Sequence, residues 1–247
     1  MGMEFIGIIP ARYQSTRFPG KPLAAIKGKP MIQWVYENTL KTLGQAWVAT
    51  DDDRIFRAVE SFGGKAVRTS PAHQSGTDRC AEAAEIIAKE AHFDVVINVQ
   101  GDEPFIKAAQ IEKLKDCFLD EAVNIATLVK KIESAEELFN PNRPKVVLDE
   151  KKNALYFSRA AIPFLRNEVE KYWPVKHAYW GHIGLYAFRF ETLRELTRLK
   201  QTPLELAESL EQLRWLENGY SIRTAKTTFQ SIGIDTPEDL EAALQLF

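Results

Sequence analysis

The sequence predicts an α/β fold with a mixed, mostly parallel sheet and an inserted β-hairpin, within a single domain of 247 residues. Over about residues 1–130, short apolar strands alternate with segments of helical periodicity, which is the pattern of parallel β-α-β units. After that the alternation stops. Two strand-like runs at 145–149 and 154–158 flank a polar tetrapeptide, as expected of a β-hairpin.

The overall composition excludes several classes of protein. The formal net charge of -2 gives no support for nonspecific nucleic-acid binding, which requires a strongly basic face. No apolar run reaches the length of a membrane span, and the first residues do not form a signal-peptide pattern. Cys80 and Cys117 lie far from any C-x-x-C motif and are interpreted as buried free thiols. We therefore expect a cytoplasmic protein without a nucleic-acid or membrane partner.

The first predicted strand is followed by a cationic loop. Apolar residues at 5–9 predict a buried strand, and Pro10 is expected to end it because proline cannot donate the next ladder hydrogen bond. Cations and a hydroxyl then lie close together: Arg12, Ser15, Arg17 and Lys21. Open α/β sheets bind ligands at the carboxyl ends of their strands, so this loop is predicted to hold polyphosphate through its side chains. The glycine-rich motifs of P-loop and dinucleotide folds are absent.

Further elements follow in order along the chain. The patterns predict a helix at about 31–43, strand 46–50, a helix after residue 53, a turn and short strand within 63–68, and a helix that begins within 73–79 and runs to about residue 89. Two interpretations of Asp51-x-Asp53 are possible. It resembles the metal-binding D-x-D motif of glycosyltransferases, but acids at this position also cap a helix N-terminus, and the cap is favoured.

Two acidic residues remain as metal-site candidates. Asp102 follows the strongly apolar strand 94–99, after a glycine that lets a ligand approach, and a carboxylate there suits Mg²⁺ that is shared with phosphate oxygens. Asp235 precedes a helix whose start is already explained by Thr236 as N-cap and Pro237 at the first helical position. Asp235 therefore has no local structural role and could supply a second carboxylate.

Residues 8–23 resemble the nucleotide-binding signature of the sugar-acid cytidylyltransferases, and most of all that of the 3-deoxy-manno-octulosonate cytidylyltransferases, also called CMP-Kdo synthetases. The related sialic acid enzymes typically carry a Gly-Ser-Lys pattern where this chain has Ser-Thr-Arg at 15–17. Later motifs at 74–79, 156–159 and 182–186 extend the resemblance to nearly the whole chain.

The resemblance implies a Rossmann-like nucleotidyltransferase fold, CTP and the octulosonate Kdo as substrates, Mg²⁺ as cofactor, and a homodimer to which residues 161–178 contribute. The implied nucleotide-binding residues are Ala11, Arg12, Ser15, Arg17, Lys21, Gln74, Ser75, Gly76 and Arg79. The implied sugar-binding residues are Gln100, Arg159, His182, Tyr186 and Gln212. The implied catalytic residues are Arg12, Lys21, Asp102 and Asp235, of which the two aspartates would bind the metal.

The domain is accordingly expected to contain a nucleotide-binding part at about 1–130, a sugar-binding and dimerisation part at about 131–232 and a metal-site helix at 233–247. Three alternatives stay open. Another sugar-acid cytidylyltransferase, acting on sialic acid or 8-amino-Kdo, shares the chemistry. A metal-dependent glycosyltransferase would use Asp51-x-Asp53 instead. A catalytically silent nucleotide-binding regulator is disfavoured because the basic loop and both acidic candidates are present.

Overall fold

The computed structural model describes residues 2–15, 17–230 and 233–245. The described residues form two compact units. The first unit lies within Met1–Glu112, Ala187–Thr197 and Ser231–Phe247, and the second lies within Lys113–Tyr186 and Arg198–Gln230. Among the described residues, no helix combines the length and the apolar character that crossing a membrane requires.

The strands in chain order are β1 (Phe5–Ala11), β2 (Ala25–Ile26), β3 (Lys29–Pro30), β4 (Ala46–Thr50), β5 (Ala66–Arg68), β6 (Val95–Asn98), β7 (Ile125–Lys131), β8 (Lys145–Leu148), β9 (Ala154–Ser158), β10 (Trp180–Arg189) and β11 (Ile222–Thr227). The helices are α1 (Met31–Leu43), α2 (Asp53–Ser61), α3 (Gly76–Ile87), α4 (Ala108–Cys117), α5 (Ala135–Phe139), α6 (Trp173–Lys176), α7 (Phe190–Leu196), α8 (Pro203–Glu208), α9 (Gln212–Glu217) and α10 (Pro237–Leu244).

The first unit contains the parallel strands β6-β1-β4-β5, in that order. The helices α1, α2 and α3 connect or follow these strands, so the predicted α/β fold with a mostly parallel sheet is confirmed. Both faces of β1 are covered, and Ile6, Ile8 and Ile9 are fully buried. Such continuous burial explains why the strand is a run of apolar residues without alternation.

The predicted end of β1 at Pro10 was wrong by one residue. Pro10 pairs in parallel register with Ala49, and Ala11 pairs with Thr50. Proline lacks an N–H group but keeps its carbonyl acceptor, so a single proline near the end of a strand removes one donor without ending the ladder.

The second unit combines parallel and antiparallel pairing. β11 runs parallel to β7, which neighbours β10, while β8 pairs antiparallel with both β10 and β9. The helical residues between 203 and 217 are divided into α8 and α9. The division occurs at Ser209, whose φ of 50° lies in the left-handed region and ends α8.

Helix α1 packs closely on β1 because Gly7 has no side chain. A Cβ atom placed on Gly7 would overlap Thr39 Cγ2 and would lie 3.1 Å from Leu43 Cδ1. Thr39 is fully buried, and its hydroxyl donates a hydrogen bond to the Val35 carbonyl at 2.7 Å. The contact leaves no room for a larger residue at position 7.

Gly7→Ala should therefore lower the free energy of unfolding by about 1–3 kcal/mol, because the added methyl overpacks a buried contact. In urea unfolding, Gly7→Ala combined with Thr39→Ala should lose less stability than the sum of the single changes. Gly184→Ala is the control, because among the described residues no atom beyond its chain neighbours lies within 4 Å of its added Cβ. Additive single and double changes would contradict the overlap.

Candidate active site

Lys21 lies between two carboxylates that are far apart in the sequence. Its Nζ is 2.7 Å from Asp102 Oδ2 and 3.0 Å from Asp235 Oδ1. Arg17 Nη2 lies 3.0 Å from the second oxygen of Asp235. The structure thus brings together four residues that were predicted for this site, and it pairs two of the predicted phosphate-binding cations with the two predicted metal ligands.

Local structure positions both aspartates. Asp102 lies in the turn after β6, and its carbonyl accepts the backbone N–H of Ile234 at 2.9 Å. The turn passes close to β1, since a Cβ on Gly101 would lie 2.8 Å from the Pro10 carbonyl oxygen. Asp235 precedes Thr236, which is confirmed as the N-cap of α10 and forms a capping box with Asp239.

Charge pairing keeps Lys21 protonated. Burial lowers the pKa of the Lys21 ammonium, but the attraction and hydrogen bonds of Asp102 and Asp235 outweigh it, so the net shift is upward. Among the described residues, no group of three or more His, Cys, Asp or Glu side chains could hold a metal ion. Two carboxylates that converge on one cation nevertheless fit Mg²⁺, which uses few protein ligands and takes phosphate oxygens for the others.

The other residues that were predicted to bind the nucleotide lie around the end of β1. Arg12 Nη2 donates to the backbone carbonyl of Gln74 at 3.1 Å, which joins the cationic loop to the segment before α3. Ser75 is the N-cap of α3: its hydroxyl accepts the Asp78 N–H, and Asp78 accepts the Ser75 N–H in return. A Cβ on Gly76 would lie 3.4 Å from Pro10, so the start of α3 lies close to the end of β1.

Ala11 is nearly fully buried, and the Ser15 hydroxyl accepts the Phe18 N–H at 3.4 Å.

Arg79 is buried rather than open to solvent. Its Nη1 lies 3.0 Å from Asp51 Oδ1 and donates to Thr69 Oγ1 at 2.6 Å. Burial lowers the pKa of its guanidinium, and Asp51 partly offsets that shift. Within the part of the chain that the structure describes, its Nε and Nη2 atoms are buried without a hydrogen-bond partner.

Each acid of the Asp51-Asp52-Asp53 run has a basic partner. Asp51 pairs with Arg79, and Asp53 pairs with Arg68. Asp52 is the N-cap of α2, as the favoured interpretation required, and its two oxygens also accept from Nε and Nη2 of Arg54. These side chains are fixed by arginines, which disfavours a D-x-D metal site.

Arg54 also supports the cationic loop, a role that the sequence did not reveal. Its guanidinium carbon lies 3.2 Å from the centre of the Tyr13 ring. Tyr13 in turn accepts the Gly20 N–H on its carbonyl at 2.9 Å, and a Cβ on Gly20 would lie 3.1 Å from the tyrosine ring. The two ends of the loop are therefore held together by Tyr13, and Arg54 covers its ring.

In the second unit, a buried polar and aromatic group surrounds β10. His182 Nε2 lies 3.1 Å from the Thr127 hydroxyl, and its ring meets Phe157 and Tyr186 at centroid distances of 5.1 and 5.3 Å. Burial, reinforced by the charge of Arg143, lowers the pKa of His182 to about 3. Burial and then Glu211 raise the pKa of Tyr186 well above its ordinary value. Both predicted sugar-side residues are thus neutral at pH 7.

Gln212 belongs to the same unit. It begins α9, and Trp215 on that helix packs edge-to-face on Tyr186 at a centroid distance of 5.1 Å. Only 5% of Gln212 is exposed, and its Nε2 has no hydrogen-bond partner among the described residues. A buried amide that has no donor contact within the described part of the chain is suited to bind a ligand.

The Arg159 guanidinium donates its hydrogen bonds to backbone carbonyls. Its Nε, Nη1 and Nη2 donate to the carbonyls of Glu208, Pro141 and Ser209 at 2.6, 3.0 and 3.2 Å. The guanidinium therefore fixes the end of α8, and its predicted contact with a substrate carboxylate stays a prediction. Gln100 lies in the first unit, partly buried, two residues after the end of β6.

Comparison with known proteins identifies the family. A model described as "Cytidylyltransferase" matches residues 6–227. A 3-deoxy-manno-octulosonate cytidylyltransferase of Parabacteroides distasonis is 57% identical over 246 residues, covering 98% of this chain and 97% of that protein. The protein of the same name from Bacteroides thetaiotaomicron is 58% identical over 245 residues, covering 98% and 97%. This chain belongs to the 3-deoxy-manno-octulosonate cytidylyltransferase family.

Solved structures agree with this assignment. A CMP:2-keto-3-deoxy-manno-octonic acid synthetase complexed with CTP superposes with a TM-score of 0.89 at 45% identity, covering 98% of each chain. A putative glucose-1-phosphate thymidylyltransferase of Bacillus anthracis superposes with a TM-score of 0.66 at 15% identity, covering 98% of this chain and 94% of the other. The second likeness shows that this cytidylyltransferase shares its fold with other nucleotidyltransferases.

Sequence reasoning missed Thr127 in this cytidylyltransferase. Its hydroxyl lies 3.1 and 3.0 Å from the carbonyls of Ile183 and Leu185, in addition to its contact with His182. Threonine inside an apolar strand is common, so only the partner strand reveals that this hydroxyl orients the imidazole.

His182 should make stability dependent on pH. The folded pKa of about 3 lies below the ordinary 6.5, so only the unfolded chain gains this proton as pH falls from about 6.5 towards 3, and stability is lost over that window. Wild type should lose about 2 kcal/mol more than His182→Gln between pH 7 and pH 5, measured by urea unfolding. His92→Gln, at an exposed histidine, is the control. Equal losses in wild type and His182→Gln would refute the assignment.

Proposed function

We propose that this enzyme transfers CMP from CTP to 3-deoxy-D-manno-octulosonate (Kdo) and releases pyrophosphate, supplying CMP-Kdo for lipopolysaccharide biosynthesis. The arrangement of Lys21 and Arg17 against Asp102 and Asp235 carries the proposal, because it combines cations for a triphosphate with carboxylates for a metal. Relatives that are 57–58% identical over nearly their full length carry this activity in their names.

In the reaction, the anomeric hydroxyl oxygen of Kdo forms a bond to the α-phosphorus of CTP, and the hydroxyl proton is released to water. The bond from that phosphorus to the bridging oxygen breaks, and pyrophosphate leaves with its electron pair. Arg12, Arg17 and Lys21 would hold the triphosphate and stabilise the charge of the leaving group, since such transfers depend mostly on positioning and charge neutralisation. Ala11, Ser15 and the residues from Gln74 to Gly76 would contact the nucleotide.

Asp102 and Asp235 would hold Mg²⁺. When bound, the metal would neutralise phosphate charge and lower the pKa of the attacking hydroxyl. Lys21 already lies between these carboxylates, so it must give up at least part of its contact with them before they can bind a second cation. Its ammonium would then pair with the polyphosphate, which supplies the negative charge that the carboxylates no longer offer it.

The sugar acid would be bound by Gln100, Arg159, His182, Tyr186 and Gln212. His182 is neutral and Tyr186 is protonated at pH 7, so both bind by hydrogen bonds rather than by charge. The buried amide nitrogen of Gln212 can donate to a sugar oxygen. Under this proposal the first unit holds the nucleotide and the second holds most of the sugar contacts.

The deciding assay measures pyrophosphate release with Mg²⁺, comparing CTP with UTP, ATP and GTP and comparing Kdo with 8-amino-Kdo and sialic acid. Release that requires both CTP and Kdo supports the proposal. Release with sialic acid or 8-amino-Kdo in place of Kdo would assign the enzyme to the corresponding sugar acid. Absence of release with every pair would refute cytidylyl transfer.

Asp102→Asn and Asp235→Asn should each lower kcat/KM about 100-fold or more, because a metal site that loses a carboxylate loses several kcal/mol of transition-state stabilisation. Binding of Mn²⁺, followed by electron paramagnetic resonance in the presence of CTP, should weaken in the same variants. Asp53→Asn is the matched control, since a glycosyltransferase-type site would need that acid. Full activity of Asp235→Asn, or a loss in Asp53→Asn alone, would contradict the metal assignment.

We also propose a cytoplasmic homodimer. The free cysteines Cys80 and Cys117 support a reducing cytoplasm. Exposed apolar side chains are concentrated in the segment 161–178 of the second unit: Phe164, Val169, Tyr172 and Val175 are 75, 62, 48 and 82% exposed. Clustered exposed apolar residues of this kind favour an interface with another chain.

Phe164→Asp combined with Val175→Asp should convert the dimer to a monomer, because two charges would be buried without partners in the interface. Light scattering coupled to gel filtration measures the mass. Leu119→Asp, at an apolar position that is 84% exposed outside the segment, should leave the mass unchanged. A wild-type monomer, or a double variant that stays dimeric, would overturn this interface.

A further inference from the structure

A carboxylate outside the proposed site attaches the segment before α3 to that helix. Glu82 Oε2 accepts the backbone N–H of Ser70 at 2.7 Å and lies 2.5 Å from Nε2 of His73. Glu82 is on the second turn of α3, and the residues that it holds precede the start of the helix. One side chain therefore fixes two points of a segment that has no regular secondary structure.

The same segment is attached at both of its ends. At the start, Thr69 Oγ1 accepts from the buried Arg79 at 2.6 Å, and the Thr69 N–H donates to the Thr50 carbonyl at 3.0 Å. At the other end, Ser75 and Asp78 form the capping box of α3. Glu82 holds the residues between these points, where no strand or helix would otherwise restrict the backbone.

The attachment leads directly to the nucleotide side of the site. The residue after His73 is Gln74, whose carbonyl accepts from Arg12 Nη2 at 3.1 Å and whose side-chain amide donates to Ala72 at 3.2 Å. Neither Glu82 nor His73 is among the residues assigned to CTP. Both side chains nevertheless hold the segment that contains Gln74, and the Gln74 carbonyl accepts a hydrogen bond from Arg12.

We propose that Glu82 and His73 are positioning residues for CTP: they hold residues 70–74 in place so that Gln74 and Arg12 meet the nucleotide in a preformed geometry. The proposal rests on the proposed function of the site. Without these hydrogen bonds the segment would become ordered only when CTP binds. The conformational entropy lost at that moment would lower the affinity for CTP.

Glu82→Ala removes an acceptor that serves two donors. By isothermal titration calorimetry it should raise the Kd of CTP about tenfold or more, the effect of losing hydrogen bonds to a charged group. Once CTP is saturating, kcat and the KM for Kdo should stay close to wild type, because neither residue touches the reacting atoms. Glu82→Gln keeps an acceptor for Ser70 and should recover most of the affinity. His73→Gln should give a smaller loss than Glu82→Ala.

Glu85→Ala is the matched control. Glu85 is an exposed glutamate on the same helix, and it pairs with Arg194 instead of the segment. An unchanged Kd in Glu82→Ala, or an equal loss in Glu85→Ala, would overturn the positioning role. So would a loss confined to kcat. If Glu82→Ala does not fold, Glu82→Gln and His73→Gln carry the test, and wild-type affinity in His73→Gln would then count against the proposal. Failure of wild type to bind CTP would instead refute the proposed function.

Discussion

The contact of Lys21 with Asp102 and Asp235 is the interaction on which the nucleotide side of the structure depends. It joins the loop after β1, the turn after β6 and the start of α10, which are separated by most of the length of the chain. Apolar packing supports it, because Ile26 and Met31 form a buried cluster with Ile234, one residue before Asp235. Core packing therefore places the backbone next to Asp235, and the ion pairs with Lys21 then connect the three segments at their side chains.

The two units offer their polar groups in different ways. In the first unit the proposed site contains charged side chains that are partly exposed and paired with opposite charges. In the second unit, His182 and Tyr186 are neutral at pH 7 and pack against aromatic rings, whereas Arg159 is charged and donates to backbone carbonyls. This division suits the two substrates: a triphosphate is recognised through charge, whereas a sugar acid presents many hydroxyls whose positions are recognised by directed hydrogen bonds.

The features that could be predicted from the sequence are local ones. Strand β4, helix α1 and the N-cap at Thr236 depend on residues close in the chain, so their boundaries were confirmed. The site residues were placed by motif and by resemblance, but their partners were not. No sequence pattern indicates that Asp51 forms an ion pair with Arg79, or that the Arg159 guanidinium donates to three backbone carbonyls. Both contacts depend on how distant segments of the chain pack.

Under the proposed function, the pairing of the loop cations affects the rate at which CTP binds. Two of the three cations that the loop carries, Arg17 and Lys21, already face Asp235 and Asp102, so this group of four side chains has no net charge. A neutral group projects little field into the solvent, and long-range electrostatic steering of a polyanion is correspondingly small. The phosphates of CTP would attract Arg17 and Lys21 only at short range, where they replace the carboxylates as partners. The association rate constant for CTP should therefore depend less on ionic strength than it would for an unpaired basic loop.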